Sequence, residues 1–245
     1  MLLNQFEKSG NWLFRYRSYL PVVLFPFAAL VVLFGDVDFS SSEGIGYAVF
    51  CFLVSIAGLA VRAYTVGHTP KGTSGRNTAE GQVAETLNTT GIYSAMRHPL
   101  YLGNYLMWMG PILYVGSTWF AVVCSLMFWL YYERIMFAEE AFLYSKYREK
   151  YKEWANRTPA FIPSFKRWQK SNLDFSFRNV LKREYNGLFY TALSFVFVDV
   201  LRNYMLTGGF YVLEFWKIVF VACLLLLIVL KTLKRGTRVL DVEGR

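Results

Sequence analysis

Cysteine and histidine are both scarce in this chain of 245 residues. The three cysteines, Cys51, Cys124 and Cys223, each lie inside an apolar run and none has a neighbour at Cys-x-x-Cys spacing, which argues against zinc and leaves them as packing residues. No metal site is expected. Charged residues make up 18% of the chain against 55% hydrophobic and 19% aromatic, a balance too apolar for an ordinary soluble domain. The chain therefore reads as an integral membrane protein. Its net charge of +9 would suit nucleic acid in a soluble protein. In a membrane protein such charge is judged by its position relative to the apolar runs, and nucleic acid is not expected as a partner. A small-x-small cleavage site is also missing: Arg15 and Arg17 precede the apolar stretch Leu20 to Phe34, but Pro21 and Pro26 interrupt it, so a cleavable leader is not expected.

Six apolar stretches are present, at about 18–35, 45–64, 100–115, 117–132, 187–206 and 211–230. A helix rising 1.5 Å per residue needs roughly 20 residues to cross the hydrocarbon, and the second and last stretches meet that length. The pattern predicts an all-α, polytopic membrane helix bundle of about six transmembrane helices, one integral membrane domain over residues 1–245. The third and fourth stretches are short and separated by Gly116, and with Gly110 and Pro111 bending the third they predict a tight hairpin. Lysine and arginine are absent from the connections at 35–44, 116 and 207–210, whereas Asp36, Asp38 and Glu43 lie in the first of these. Basic residues gather instead at Lys8, Arg15 and Arg17, at Lys71, Arg76 and Arg97, from Arg134 to Arg183, and from Lys231 to Arg238. The positive-inside rule then places both termini and both long connections, 65–99 and 133–186, on the cytoplasmic side. Most of these charges read as anchors to an anionic lipid surface. Asp199 and Arg202, three apart inside the fifth stretch, share a helix face and are expected to pair as a structural clasp.

The connection from 65 to 99 is rich in Gly, Ser, Thr and Asn, which favours turns with free backbone donors. Those suit an anion or a nucleoside and equally a solvated loop, and there is no Walker lysine pattern. His68 reads as an ordinary loop residue. The run "MRHPLYLGNY" says more, because its parts constrain one another. Pro99 suits the first turn of a helix and pushes His98 out of helical geometry, so His98 sits at the N-terminal edge of the third span. Unpaired N–H groups and the positive helix end there attract a carboxylate or phosphate. Gly103 lets a backbone or a ligand come close, and Tyr101, Asn104 and Tyr105 offer polar tips.

A second cluster lies where the fourth span leaves the membrane, in "YYERIMFAEEAFLYSKYREKYKEW". Glu133, Arg134, Glu139 and Glu140 crowd the end of an apolar helix, where carboxylates call for cationic partners. Tyr144, Tyr147, Tyr151 and Trp154 follow at three- and four-residue steps, predicting an amphipathic helix against the membrane or the bundle. Arg134 and Glu139 are five apart, about 140° around a straight helix, and so face different ways.

Taken together, Gly91, Tyr93, Arg97, His98, Pro99, Tyr101, Gly103 and Asn104, then a hairpin, then Arg134, Glu139 and Glu140, then Pro159 to Pro163, carry a resemblance. The pattern G-x-Y-x-x-x-R-H-P-x-Y-x-G-N followed by R-x-x-x-x-E-E resembles the isoprenylcysteine carboxyl methyltransferase and phospholipid methyltransferase superfamily. It covers residues 88–165, between N-terminal spans and a loop at 1–87 and a C-terminal linker with two extra spans at 166–245. The resemblance implies S-adenosylmethionine as cofactor, in a pocket at the cytoplasmic end of the bundle, with a membrane lipid substrate arriving from the bilayer. It implies that Tyr93, His98, Pro99, Tyr101, Gly103 and Asn104 bind the cofactor, His98 and the tyrosines at its carboxylate end, with Glu139 or Glu140 at its amino group. Arg134, the catalytic candidate, and Arg97 would hold the acceptor. A fainter likeness to bacterial lipid A phosphate methyltransferases points to a bacterial inner membrane.

Methyl transfer needs a nucleophile in line with the sulfonium methyl, so positioning supplies much of the acceleration. An arginine can hold a carboxylate or phosphate by two parallel hydrogen bonds and leave one oxygen to attack. An ionised oxygen needs no general base, which favours O-methylation over phospholipid N-methylation. Two other classes stay open: a membrane sterol-type reductase using NADPH, whose similar R-H-x-x-Y-x-G turn usually continues with an acid where Asn104 stands, and a non-catalytic lipid-binding protein. Prenylated cysteine, a phospholipid amine and a lipid phosphate all present a polar head on long apolar chains, so the acceptor stays open too, as does the oligomeric state.

Overall fold

The computed structural model describes every residue except 18, 36, 38, 40–43, 71, 74–81 and 83. Asp36, Asp38, Glu43, Lys71, Arg76 and most of the threonine-rich loop therefore lie outside the described residues. The described chain is helical: α1 (Leu2–Tyr16), a 3-10 turn (Leu20–Val23), α2 (Leu24–Phe34), α3 (Gly44–Gly67), α4 (Pro99–Tyr114), α5 (Thr118–Tyr147), α6 (Glu149–Arg157), α7 (Phe177–Thr207) and α8 (Glu214–Gly236). No strand occurs among these residues beyond one isolated bridge between Gly91 and Gln169.

Helices occupy all six expected apolar stretches, but not all have spanning length. Three are long and apolar enough to cross a membrane, α3, α5 and α8, or four if Leu2–Tyr16 and Pro21–Phe34 form one bent span. The fold class is as expected for a membrane helix bundle, while the count of six is not reproduced. α4 has only 16 residues, and α7 carries charge along its 31. The stretch 117–132 is only the first half of α5, which runs 30 residues and carries the second motif out on the same helix. Its aromatic continuation is broken by Arg148, whose left-handed φ of 48° ends α5 and begins α6.

The tightest packing is between α3 and α4, and small residues allow it. A Cβ on Gly58 would lie 2.5 Å from the Gly103 carbonyl oxygen, and one on Gly103 would lie 2.4 Å from Arg62 Cγ. Ser55 donates across the same seam to the Met107 carbonyl at 2.8 Å. This is the close approach of backbones that small residues permit in membrane bundles. α1 packs on the far half of α5, where Gly10 faces the Arg134 carbonyl. Ser117 and Ser176 cap α5 and α7, their hydroxyls accepting from Phe120 N at 3.5 Å and Asn179 N at 3.3 Å.

At the end of the bundle away from the first motif, Asp199 and Arg202 are both buried and both turn to Tyr114. Asp199 accepts from the Tyr114 hydroxyl at 2.6 Å, from Asn203 Nδ2 at 3.0 Å and from Leu213 N at 2.8 Å. Arg202 Nη1 donates to the Tyr114 carbonyl at 2.7 Å, and its guanidinium lies 4.8 Å from the Phe39 and Tyr114 ring centres. Trp216 Nε1 adds a bond to the Tyr114 hydroxyl at 3.0 Å. The clasp thus joins α4, α7 and the start of α8 through one tyrosine.

Candidate active site

The first motif is held in shape by the chain that follows the second. Gly91, with φ of 60°, makes a turn that a side chain would strain, and its N–H donates to Gln169 O at 2.9 Å. Arg97 N and His98 N donate to the carbonyls of Pro159 and Ala160 at 2.9 and 3.1 Å, and Ser164 N returns a bond to Ala95 O at 2.9 Å. Trp154 Nε1 ties α6 to the Tyr93 carbonyl at 2.9 Å. The segment 158–169 is therefore a strap lying along residues 91–98.

This lacing sets His98 against the two glutamates of α5. His98 Nε2 lies 2.9 Å from Glu140 Oε1 and Nδ1 lies 3.5 Å from Glu139 Oε2, with the histidine 5% and Glu139 6% exposed. Tyr101 donates to Glu139 Oε2 at 2.7 Å and stacks on the imidazole at 18°. Arg97 Nη2 completes the cluster at 3.2 Å from Glu140. Burial opposes a charged imidazole at His98, but the hydrogen bonds and charges of Glu139 and Glu140 outweigh it and raise its pKa above the ordinary 6.5. Burial, followed by the charge on Glu139, pushes the Tyr93 phenol up, so it stays a neutral O–H.

Beside the cluster lies a cavity of about 430 Å³, within the range of small-molecule sites. Its lining includes Tyr93, Arg97, His98, Pro99, Tyr101, Asn104 and Glu139 from the two motifs. From Pro99 it continues down α4 to Pro111, about 18 Å at 1.5 Å per residue, passing Met107 and Trp108 and facing Tyr190, Thr191 and Ser194 of α7. Glu140 stands behind His98, outside the lining. Gly103 serves the α3 contact instead of facing the cavity.

Arg134 is not brought to the cavity. Its guanidinium lies 3.4 Å over the ring of Phe6 in α1, because a residue five positions before Glu139 points to another side of α5. Among the described residues, four other arginines do line the cavity, Arg17, Arg62, Arg97 and Arg183, and Glu139 is the one carboxylate in that lining. Among the described residues, no group of three or more His, Cys, Asp or Glu side chains is placed to hold a metal ion.

Residues 45–150 match the family profile described as phospholipid methyltransferase. The chain is 31% identical over 77 residues, 31% of its own length and 33% of the relative's, to the protein-S-isoprenylcysteine O-methyltransferase of Schizosaccharomyces pombe. Over residues 45–150 the chain is thus similar to the isoprenylcysteine carboxyl methyltransferase and phospholipid methyltransferase superfamily. It is also 35% identical over 153 residues, 62% of this chain and 66% of the relative, to the cobalt-zinc-cadmium resistance protein CzcN of Cupriavidus metallidurans. A third relative, the nickel-cobalt-cadmium resistance protein NccN of Alcaligenes xylosoxydans xylosoxydans, is 36% identical over 83 residues, 34% of this chain and 38% of the relative. Each match thus spans less than two thirds of the relative's own length. No solved structure matches the chain.

The superfamily profile ends at residue 150, yet the cavity does not. α7 supplies Arg183, Gly187, Tyr190, Thr191 and Ser194 to its wall, and behind them Glu184 receives a two-pronged bond from Arg62 at 2.7 and 2.9 Å. Motif reasoning misses both members of that pair. Arg62 carried a usable signal, a charge inside the second apolar stretch, which marks an intramembrane site. Glu184 sits in a run dense in lysine and arginine and had none.

Proposed function

We propose that this protein is an S-adenosylmethionine-dependent O-methyltransferase acting on the anionic head group of a membrane lipid or lipidated substrate. The observation that carries the reading is the continuity of the cavity. Its ionic end, at His98 and Glu139, opens into an apolar end beside Met107, Trp108 and Pro111, so a polar cofactor and a long-chained acceptor can meet in one space. The residues present fit the cofactor: Tyr151 and Arg97 line the cavity, and their buried Oη and Nε make no hydrogen bond of good geometry among the described residues, although Tyr151 stands beside Glu140. Such orphaned donors are costly unless a ligand meets them. Arg97 and Tyr151 would hold a carboxylate and Glu139 an ammonium, while Tyr93, Trp154, Leu87 and Leu143 offer aromatic and apolar surface to a base. When bound, S-adenosylmethionine supplies a methyl group on a sulfonium, which an ionised acceptor oxygen displaces.

Beyond Arg62, which Glu184 neutralises, and Arg97, which faces the cofactor end, Arg17 and Arg183 on the described cavity wall favour an anionic acceptor over an amine. Its charge and that of the sulfonium cancel as the methyl moves, so the acceptor's oxygen needs positioning more than a base. The test is transfer of labelled methyl in nanodiscs of defined lipid, offering a prenylcysteine carboxylate, phosphatidic acid and phosphatidylethanolamine in turn, with calorimetry against S-adenosylhomocysteine and NADPH. Binding of S-adenosylhomocysteine and methylation of a carboxylate or phosphate are expected. Glu139→Gln should weaken S-adenosylhomocysteine binding by at least tenfold, since a hydrogen bond to a charged group contributes about 1.5–3 kcal/mol. Binding of NADPH alone would overturn the reading.

A further inference from the structure

Four side chains from four helices form a hydrogen-bonded line along the cavity wall. Glu184 of α7 accepts from Arg62 of α3, Nε to Oε2 at 2.7 Å and Nη2 to Oε1 at 2.9 Å. Arg62 Nη1 donates to Asn104 Oδ1 of α4 at 2.5 Å, and Asn104 Nδ2 donates to the Tyr132 hydroxyl of α5 at 3.0 Å. The order of donors along this line is forced. A guanidinium only donates, so the Asn104 amide must turn its oxygen to Arg62 and its NH2 to Tyr132. Tyr132 is thereby the acceptor of that bond, and its own O–H proton is left over. The ring itself is fixed, 3% exposed, 4.7 Å from Tyr101 and 4.2 Å from Phe128 by ring centres, and it lines the cavity.

We propose that Tyr132 is a positioning donor for the acceptor head group. Its O–H binds an oxygen of the carboxylate or phosphate that takes the methyl, and Glu184, acting through Arg62 and Asn104, keeps that O–H turned outward to the ligand. The proposal rests on the methyl-transfer reading above. The Arg62–Glu184 pair cancels its own charge, so it supplies direction without net field. An O–H to an anionic oxygen is a short, strong bond that fixes the head group while leaving its charge in place. Tyr132, Asn104 and Arg62 lie within the segment matched by the family profile, whereas Glu184, which orients them, lies beyond it in α7.

Asn104→Asp is the decisive variant. A carboxylate at 104 accepts from both neighbours, so it draws the Tyr132 proton toward itself and away from the cavity. With labelled S-adenosylmethionine and N-acetyl-S-farnesylcysteine or phosphatidic acid as probes, N104D and Y132F should each raise the acceptor KM about tenfold, the effect of one hydrogen bond to a charged group. The double variant should be no worse than either single one, because coupled residues fail to add, and the S-adenosylhomocysteine affinity of Y132F should stay within about twofold. A readout free of turnover accompanies this. In protein labelled with 13Cζ-tyrosine, the Tyr132 signal, identified by its loss in Y132F, should shift in N104D and again in E184Q. Additive kinetic losses, or a Tyr132 signal unmoved by N104D, overturn the proposal. If the Tyr132 signal shifts as expected in N104D and E184Q but the wild-type protein binds no S-adenosylhomocysteine and moves no methyl group, the proton order is upheld and the methyl-transfer reading is overturned instead.

Discussion

His98 is a buried imidazole whose pKa is raised because a carboxylate stands at each of its two ring nitrogens. Its raised pKa has a definite sign for stability. The stabilisation from its charge is fully present below the unfolded value near 6.5 and is lost as pH rises through the higher folded value. The melting temperature of the wild type should therefore exceed that of His98→Gln most at or below neutral pH, and the gap should shrink as pH is raised into the alkaline range, as thermal unfolding in detergent would show. Arg134 gives the opposite kind of test. With its guanidinium on Phe6, Arg134→Ala should leave S-adenosylhomocysteine affinity within about threefold. Its cost should be confined to a small loss of stability of about 0.5–2 kcal/mol, the range of a partly buried cation–π contact.

Among the elements, the α3–α4 pair sets the site's precision, since it carries Arg62 on one helix and His98, Tyr101 and Asn104 at or along the other. Gly103→Val should force the helices apart and lower stability by about 1–3 kcal/mol, the usual cost of overpacking, whereas Gly46→Val, which meets nothing within 4 Å, should be neutral in the same melting assay. This is also where sequence and structure are easiest to weigh. Pro99 and His98 at a helix start followed from local backbone rules, and the structure gives His98 non-helical φ and ψ of −123° and 58° just before Pro99. The end of α5 did not follow: its polar second half reads as a new segment, but the helix runs on with α1 packed along it at Arg134, Phe137 and Ala138. Nor did the left-handed Arg148 follow, as arginine carries no preference for that conformation. Pairing of Glu139 with Tyr101 and of Glu140 with Arg97 depends on how two distant helices meet, which no local pattern specifies.

For the whole molecule, we propose that both termini and the motif end of the bundle face the cytoplasm, on the strength of the basic residues gathered there. The three native cysteines are buried, so single added thiols report cleanly. Phe210→Cys, at a position 76% exposed, should react with an impermeant maleimide from outside intact spheroplasts. Lys166→Cys should react only after lysis, and the reverse pattern would invert the topology. The lining of the cavity carries a last consequence. The residues assigned to the cofactor come from the first 157 positions, while α7 contributes Arg183 and one long side of the apolar end. A helix so separate along the polypeptide can be exchanged during divergence without disturbing the cofactor residues. Relatives that keep the same chemistry are thereby free to adopt different lipids, and the most informative differences among them will be found in residues 183–194.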